Sequence, residues 1–499
     1  MPLPPPGEEQ PKSKMGLSQK IALNSTAQAG RQIFVAAAGI ISVGVATRYL
    51  PVDEYGAVLA ALVLVGLFGF ATDFGIAAMT VRAMARDPDN EVPISSSAFW
   101  VWVAFNVPAA LAVLLVAQLA YPGADNEVTR TSVLIMMTIF PLSPFAGVAG
   151  VRAVAEQKVW LTSLTSMVAR AISLAAVIAA AAFDLGAAGI TAAFATGYIF
   201  EQGLVIVAMR PKIEFRVGLH RARIWSLVVA AVPLGLVMMI NGLYFRLDAF
   251  LLSLLGTQKD LAVYGVAYKG FEALLVLPEF VMVTLLPVLA KLEFDHDRYR
   301  ELVQKAFTAM TILVVPIFGF AVFGREAMVA LAGPKFAGGG LVLSLIMCAV
   351  AFSCVQGVFG NALVTQGKQK VMLRVSLSVL AANAAINLAA IPLFGDTGAA
   401  AALLATEVLQ LALTLQVYSR LAPIPHLHHV GKLFLALAAL LVVVAVCLLL
   451  PNAFLSIGVG VILGSIVYIA VLRAFKVLPR YMSEPVEMML RSVRRRRAA

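Results

Sequence analysis

Apolar runs about 20 residues long recur from one end of this 499-residue chain to the other, and a helix of roughly that length crosses a bilayer. Hydrophobic residues make up 61% of the chain and charged residues 13%, whereas a soluble domain is about half apolar and about a quarter charged. The runs are continuously apolar rather than alternating, which indicates helices and not barrel strands. The sequence therefore predicts an all-α polytopic membrane protein.

The runs divide into about fourteen predicted transmembrane helices. Pro141 and Pro144 predict a kink in the fourth helix, because proline removes a backbone donor. The predicted division of the chain is a cytoplasmic N-terminal segment at 1–30, an N-lobe of six helices at 31–220, a C-lobe of six helices at 221–424, two C-terminal helices at 425–475 and a basic cytoplasmic tail at 476–499. No segment outside these helices is long enough for a separate catalytic domain, so we do not expect an enzyme.

A short pattern in the first half of the chain recurs in the second half at a nearly constant offset. The matched positions are Gln157-Lys158-Val159 with Gln369-Lys370-Val371, Asp184 with Asp396, Gly186 with Gly398, and Tyr55-Gly56 with Tyr264-Gly265. An offset of six helices preserves the direction of each helix, which predicts two parallel repeats. Transporters with such repeats bind substrate between them near the membrane midplane. The alternative is chance similarity between alanine-rich helices.

Lysine and arginine are frequent in every second loop between the predicted helices. The positive-inside rule therefore places both termini in the cytoplasm. The net charge of +11 is explained by these loops and not by a nucleic-acid partner, and we expect Arg494 to Arg497 in the tail to contact anionic lipid headgroups. The loop that contains His426, His428 and His429 is interpreted as solvated, so no metal site is predicted.

Charged residues also lie at bilayer depth in the seventh and eighth predicted helices: Arg246, Asp248, Lys269, Glu272 and, two turns later, Glu279. A charge at that depth is costly unless it faces water or a partner, so such residues are functional candidates. Lys269 and Glu272 are three residues apart and share a helix face. This stretch predicts a polar, water-filled cavity, although a purely structural ion pair would also explain Lys269 and Glu272.

Other polar residues lie in or near the remaining predicted helices. Arg31 is close to the cytoplasmic end of the first helix. Asp73-Phe74-Gly75 indicates a turn at a helix end. Arg170 and Glu201 lie inside the fifth and sixth helices, and either a structural pair or a role in the cavity would explain them.

Three groups of motifs, taken in order, resemble the polysaccharide-exporter branch of the multidrug/oligosaccharidyl-lipid/polysaccharide (MOP) superfamily, which includes the Wzx-type O-antigen flippases. The first group is Arg48-Tyr49-Leu50-Pro51-Val52-Asp53-Glu54-Tyr55-Gly56, Asp73-Phe74-Gly75 and Arg82. The second is Asp248, Tyr264-Gly265-Val266-Ala267-Tyr268-Lys269, Pro278 and Pro287. The third is Gln366-Gly367-Lys368, Asn383, Asn387, Ile391-Pro392, Gly395 and Gly398-Ala399-Ala400. Each motif alone is weakly specific, and their order over about 400 residues is what carries the resemblance.

The resemblance implies two six-helix lobes in a V around a central cavity, with two extra C-terminal helices. Family members move undecaprenyl-diphosphate-linked sugar units from the cytoplasmic to the outer leaflet. It therefore implies a multi-pass protein of a bacterial or archaeal cytoplasmic membrane, with a polyprenyl-diphosphate-linked glycan and membrane lipids as its partners. A glycan polymerase and glycosyltransferases would be further partners.

Roles for individual residues follow from that chemistry. Arg31, Arg246 and Lys269 are predicted to bind the diphosphate, because cations lower the cost of bringing it into the membrane. Asn383 and Asn387 share a face of the eleventh predicted helix and either hydrogen-bond sugars or hold helices together. Three carboxylates are predicted to balance charge or to couple transport to a proton or a sodium ion: Asp248, Glu272 and Asp73. No other cofactor is expected.

Three alternative functions remain open at this point. A lipid II flippase would share the fold and much of the cargo chemistry. A multidrug exporter of the same superfamily would share the fold, but intramembrane arginine and lysine disfavour a cationic cargo. A membrane scaffold for glycan assembly that transports nothing is the alternative of another class, and it would not need the charges in the seventh and eighth helices.

Overall fold

A computed structural model describes residues 17–210, 221–275, 289, 296–426 and 430–478, and within these ranges the regular structure is entirely helical. The α-helices are α1 (Leu17–Tyr49), α2 (Val52–Asp73), α3 (Ile76–Arg86), α4 (Glu91–Ala120), α5 (Glu127–Met136), α6 (Ser143–Ala155), α7 (Val159–Ala182), α8 (Gly186–Met209), α9 (Arg221–Leu255), α10 (Gln258–Leu274), α11 (His296–Phe320), α12 (Gly324–Ala332), α13 (Gly340–Thr365), α14 (Gln369–Ser419), α15 (Val430–Cys447) and α16 (Ala453–Ala474).

The described residues contain 12 helical segments long and apolar enough to cross a membrane. The longest, α14, is interrupted at Gly395, whose backbone (φ 55°, ψ −129°) is not helical, and it therefore contains two predicted spans. The predicted eighth helix starts as α10 and continues into residues outside the described ranges. The all-α, multi-pass fold class is therefore confirmed, and the described helices agree with about fourteen spans.

Two local features differ from uniform helices. Between α5 and α6 the chain forms a 3-10 segment, Met137–Leu142, that contains Pro141, so the predicted kink in the fourth span is confirmed. The apolar run in the sequence predicts a second helix over about residues 56–77, but α2 ends at Asp73. Phe74 and Gly75 adopt left-handed conformations (φ 39° and 72°), which end α2 before α3 begins. The predicted helix-end turn is confirmed, and α3 is an additional short helix.

Corresponding helices make corresponding contacts in the two halves of the chain. In the first half α1 packs on α7, α2 on α5 and α4 on α6, and in the second half α9 packs on α14, α10 on α13 and α11 on α13. These pairs are related by the six-helix offset found in the sequence. The C-terminal helices α15 and α16 pack on each other and on α11 and α12, so they join the second half outside the repeated pattern.

The two halves meet at what we call the Arg48 end, where α1 ends and α2 and α10 begin. A Cβ at Gly56 would lie 1.9 Å from the carbonyl oxygen of Gln258, so α2 and α10 touch through backbone. Arg48 donates hydrogen bonds to the carbonyl oxygens of Ala330 (2.7 Å) and Leu331 (2.8 Å) at the end of α12. These carbonyls lack helical partners and carry the negative end of the helix dipole, so an arginine is well matched to them.

The halves also meet at the other end of α2, which we call the Gly75 end. A Cβ at Gly235 of α9 would lie 2.5 Å from both the ring and the carbonyl oxygen of Phe74. Apolar residues extend this contact, since Leu227 and Ala231 of α9 are buried in one cluster with Ile76 and other residues of the first half. The beginning of α9 therefore belongs to the second half in sequence but packs on the first half.

This contact predicts the effect of Gly235→Ala. In a free helix the change is expected to stabilise by up to about 1 kcal/mol, but here the new methyl group meets Phe74. We expect the thermal unfolding midpoint of the purified protein in detergent to fall. Gly458→Ala in α16 is the matched control, because nothing lies within 4 Å of a Cβ there, and its midpoint should stay level or rise. Equal responses of the two variants would contradict the tight contact at the Gly75 end.

Candidate functional site: a charged cavity between the two halves

Two adjoining pockets form one cavity between the halves, with volumes of about 320 Å³ and about 370 Å³. Both are lined by Gln32, Arg246, Lys269 and Glu272. Further lining residues come from both halves: Arg31, Val35, Leu59, Val63, Arg170, Tyr198, Phe245, Ala249, Tyr264 and Tyr268. Leu59 and Val63 lie between the two ends of α2, so the cavity lies between the Arg48 end and the Gly75 end.

Four cations from four helices line this cavity: Arg31 of α1, Arg170 of α7, Arg246 of α9 and Lys269 of α10. Glu272 is the one carboxylate among the lining residues of the two pockets. The lining therefore has an excess of positive charge. This placement matches the prediction of a shared polar cavity for Arg246, Lys269 and Glu272 and brings Arg31 to the same cavity. Asp248 of the seventh predicted helix is not part of the lining.

Lys269 and Glu272 form the ion pair that their spacing suggested, with Nζ 2.7 Å from Oε2. Their side chains are 36% and 43% exposed, so the pair opens onto the cavity instead of being sealed in the protein. Arg246 lies against Gly66 of α2, where a Cβ would be 3.1 Å from the guanidinium. Glycine at this position therefore gives a side chain of the second half room to approach the first half.

The structure places Arg170 both in an ion pair and in the cavity lining. Its guanidinium lies 3.7 Å from a carboxylate oxygen of Glu201 and 4.7 Å from the centre of the Tyr198 ring. Glu201 also accepts a hydrogen bond from the Ser166 hydroxyl at 2.6 Å. Arg170 is therefore fixed by a structural pair and also faces the cavity.

Asn383 and Asn387 are not among the residues that line the cavity. Both are fully buried, as is Asp248 at 1% exposure. The Asn387 amide donates to Asp248 at 2.6 Å and to the Asn383 backbone carbonyl at 2.9 Å, and the Asn383 amide donates to Thr406 at 3.3 Å. This placement does not support contact with sugars in this conformation, and it fits the alternative that the two asparagines hold helices together.

Asp248 and Asp73 are also away from the lining. Asp248 accepts hydrogen bonds from Asn387 and, at 3.1 Å, from the Tyr264 hydroxyl. Asp73 is at the Gly75 end, where its Oδ1 accepts weak hydrogen bonds from the Ala77 backbone amide (3.3 Å) and the Trp102 indole (3.4 Å). Among the three carboxylates selected from the sequence, Glu272 alone lines the cavity.

The sequence reasoning missed Glu407 and Tyr244. Glu407 of α14 is 1% exposed, and one of its carboxylate oxygens accepts a hydrogen bond from the Tyr244 hydroxyl of α9 at 2.8 Å. The signal was available, because Glu407 is a charged residue inside a predicted apolar helix, the same criterion that selected Arg246. Tyr244 carries no such signal, since a tyrosine in a membrane helix is common.

Stacked aromatic rings of α10 lie at the cavity, which Tyr264 and Tyr268 line. The rings of Tyr264 and Tyr268 stack with centres 5.8 Å apart, and those of Tyr268 and Phe271 with centres 5.0 Å apart. The Tyr268 hydroxyl donates to the Phe245 carbonyl oxygen at 2.8 Å. Helices α9 and α10 therefore contribute residues both to the cavity lining and to the hydrogen bonds that Asp248 and Glu407 accept.

Several residues selected from the sequence lie outside the described ranges. They are Pro278, Glu279, Pro287, His428, His429 and the arginines at 494–497. Most of the basic loop at the predicted boundary between the lobes, residues 211–220, is outside them as well. Within the described ranges there is no cluster of three or more histidine, cysteine, aspartate or glutamate residues that could hold a metal ion.

The chain matches a known protein family. The family model described as "Polysaccharide biosynthesis protein" matches residues 45–338, more than half of the chain. The protein belongs to this polysaccharide biosynthesis protein family. No curated protein sequence matches the chain.

Solved structures with the same fold are distant in sequence. The lipid II flippase MurJ in an inward closed conformation has a TM-score of 0.76 and 12% identity, covering 91% of this chain and 98% of that one. A multidrug resistance MATE family transporter of the MOP superfamily, facing inward, has a TM-score of 0.54 and 14% identity, with 82% and 96% covered. A mutant of the Vibrio cholerae MATE transporter VcmN has a TM-score of 0.54 and 14% identity, with 81% and 97% covered. The fold is therefore shared with these transporters. Together with the family match over residues 45–338, this confirms the resemblance read from the sequence.

Proposed function

We propose that this protein is a flippase that moves polyprenyl-diphosphate-linked oligosaccharide units from the cytoplasmic to the outer leaflet for surface polysaccharide biosynthesis. The observation that carries the proposal is the cavity between the halves, where four cations face one carboxylate. A diphosphate is the part of such a substrate that hydrocarbon excludes most strongly. A positively charged, hydrated cavity removes much of that barrier.

The Lys269–Glu272 pair gives the cavity a means of charge balance without substrate. An arriving diphosphate offers Lys269 and Arg246 stronger charge-assisted hydrogen bonds than a single carboxylate does. Glu272 then loses its partner to the substrate and recovers it when the substrate leaves. Arg31, on α1 of the first half, binds the same diphosphate from the other side, so the occupied cavity links the two halves.

Alternating access supplies the movement in this proposal. The halves touch at the Arg48 end and at the Gly75 end, and the cavity lies between these contacts. Opening one contact region while the other stays closed exposes the cavity to one side of the membrane at a time. Asp248, Glu272 and Asp73 remain candidates for charge balance or ion coupling, with a proton or a sodium ion as the coupling ion.

Two other functions use parts of the same evidence. A lipid II flippase is the second candidate, because MurJ shares the fold over most of both chains and lipid II presents the same diphosphate chemistry. A multidrug exporter for cations is disfavoured by the positive lining. A scaffold that transports nothing gives no reason for four cations to line one cavity with a single carboxylate among them, whereas an anionic cargo does.

The first test replaces the cavity cations. Arg246→Ala and Lys269→Ala should each abolish export of the surface glycan, because each removes a charge that meets the diphosphate. Lys269→Arg should keep part of the activity, since the charge survives while the geometry changes. The measurement is the glycan profile of cells that carry each variant at equal amounts of membrane-inserted protein.

Matched controls are Lys370→Ala and Arg325→Ala, which remove exposed charges outside the cavity lining. Both should leave the glycan profile unchanged. A full-length glycan profile in the Arg246 and Lys269 alanine variants would show that these cations are structural, and it would remove the main support for the proposal.

The proposed direction of transport requires a defined orientation in a bacterial or archaeal cytoplasmic membrane, with both termini in the cytoplasm. Reporter fusions at Asp89 and Ala499 should therefore report the cytoplasm, and a fusion at Ala124 should report the opposite side. The reason is the excess of lysine and arginine in alternate loops. A fusion at Ala499 that reports the same side as one at Ala124 would contradict the orientation.

We also expect a glycan polymerase and glycosyltransferases to act with this protein. They are the enzymes that would make the lipid-linked unit and consume it after translocation. Neighbouring genes that encode such enzymes would support an oligosaccharide cargo, whereas neighbours for cell-wall peptide synthesis would favour lipid II.

A further inference from the structure

Glu407 is a buried carboxyl group that the proposed transport of a diphosphate does not use. Only 1% of the residue is exposed. Oε1 accepts the hydrogen bond from the Tyr244 hydroxyl at 2.8 Å. Oε2 is buried and accepts no hydrogen bond of good geometry within the described part of the chain, although the Ser353 hydroxyl is close enough to interact with the carboxyl group. An unpartnered buried oxygen on a carboxyl group calls for a physical explanation.

The groups that face Glu407 come from three helices. Tyr244 and Asp248 face it from α9, Tyr268 from α10, and Ser353 and Cys354 from α13. Among the ion pairs of the described residues, none joins Glu407 to a lysine or an arginine. The nearest charged side chain in this set, Asp248, has the same sign and would repel an ionised Glu407.

Asp248 is as buried as Glu407 but accepts more hydrogen bonds. It accepts hydrogen bonds from the Asn387 amide at 2.6 Å and from the Tyr264 hydroxyl at 3.1 Å. Donors of this kind stabilise the ionised form of a carboxyl group, whereas burial without them favours the neutral form. Two buried carboxyl groups that repel each other do not both ionise readily, and the proton goes to the group with fewer donors. By that comparison, Glu407 is the group that holds a proton.

We propose that Glu407 is a proton-binding site, protonated in the conformation where the halves touch at both ends, while Asp248 keeps its negative charge. Release is a simple transfer: the O–H bond of the carboxyl group breaks, the proton passes to a water molecule, and the carboxylate remains. In the reverse step a proton from water restores the acid. No other reactant is needed.

The position of Tyr244 connects this site to the cavity. Tyr244 precedes Arg246 by two residues on α9, and its hydroxyl is the donor that ties α9 to Glu407 of α14. A movement of α9 that shifts Arg246 would also withdraw Tyr244 and admit water, and Glu407 would then ionise. This coupling to transport rests on the proposed function, whereas the protonation of Glu407 does not.

The experiment is infrared spectroscopy of the full-length purified protein in lipid at pH 7. A protonated carboxyl group gives a carbonyl stretching band that ionised carboxylates lack, and the band shifts in deuterated water. The wild-type protein and the Asp248→Asn variant should show the band, and Glu407→Gln should lose it. A band that persists unchanged in Glu407→Gln, or that disappears only in Asp248→Asn, would overturn the proposal.

Tyr244→Phe provides a second readout that does not depend on changing Glu407. It removes the hydrogen bond to the carboxyl oxygen, so the carbonyl band should shift to higher frequency. An unshifted band would overturn the assignment to Glu407. Neither measurement uses glycan export. The result for Glu407 can therefore be interpreted even if the proposed transport function is wrong.

Discussion

The free-energy cost of a charge within the hydrocarbon core is the constraint on which this structure depends. Arg246, Lys269 and Glu272 meet it by facing a common cavity, where the lysine and the glutamate pair at 2.7 Å. Asp248 meets it by burial beside amide and hydroxyl donors. Both solutions place charge between packed helices and away from lipid, as intramembrane charges generally require.

Glycines let the two halves pack closely at both ends of the cavity. Gly56 lets α2 approach α10 at the Arg48 end, and Gly235 lets α9 approach the Phe74 turn at the Gly75 end. A larger residue at either glycine would separate the halves. The proposed alternating access would therefore have two defined contact regions to open, and α9 takes part in both the Gly75 end and the cavity wall.

The sequence predicted the fold class and the charged cavity because both follow from local rules on apolar length and intramembrane charge. It did not predict where Asn383 and Asn387 point, since two residues on one helix face can meet a cavity or a neighbouring helix, and only packing decides between them. The end of α2 was misjudged because apolar residues continue past the left-handed Phe74–Gly75 turn. Glu407 was missed although the charge rule applied to it.

Binding of a defined lipid diphosphate tests the central claim most directly. Purified full-length protein in detergent would be titrated with a short-chain polyprenyl diphosphate glycan and with the matching monophosphate. We expect the diphosphate to bind at least about tenfold more tightly, about 1.4 kcal/mol, and this preference to be lost when both Arg246 and Lys269 are replaced by alanine. Equal affinities for the two lipids, or a preference that survives the double replacement, would contradict a diphosphate site in the cavity.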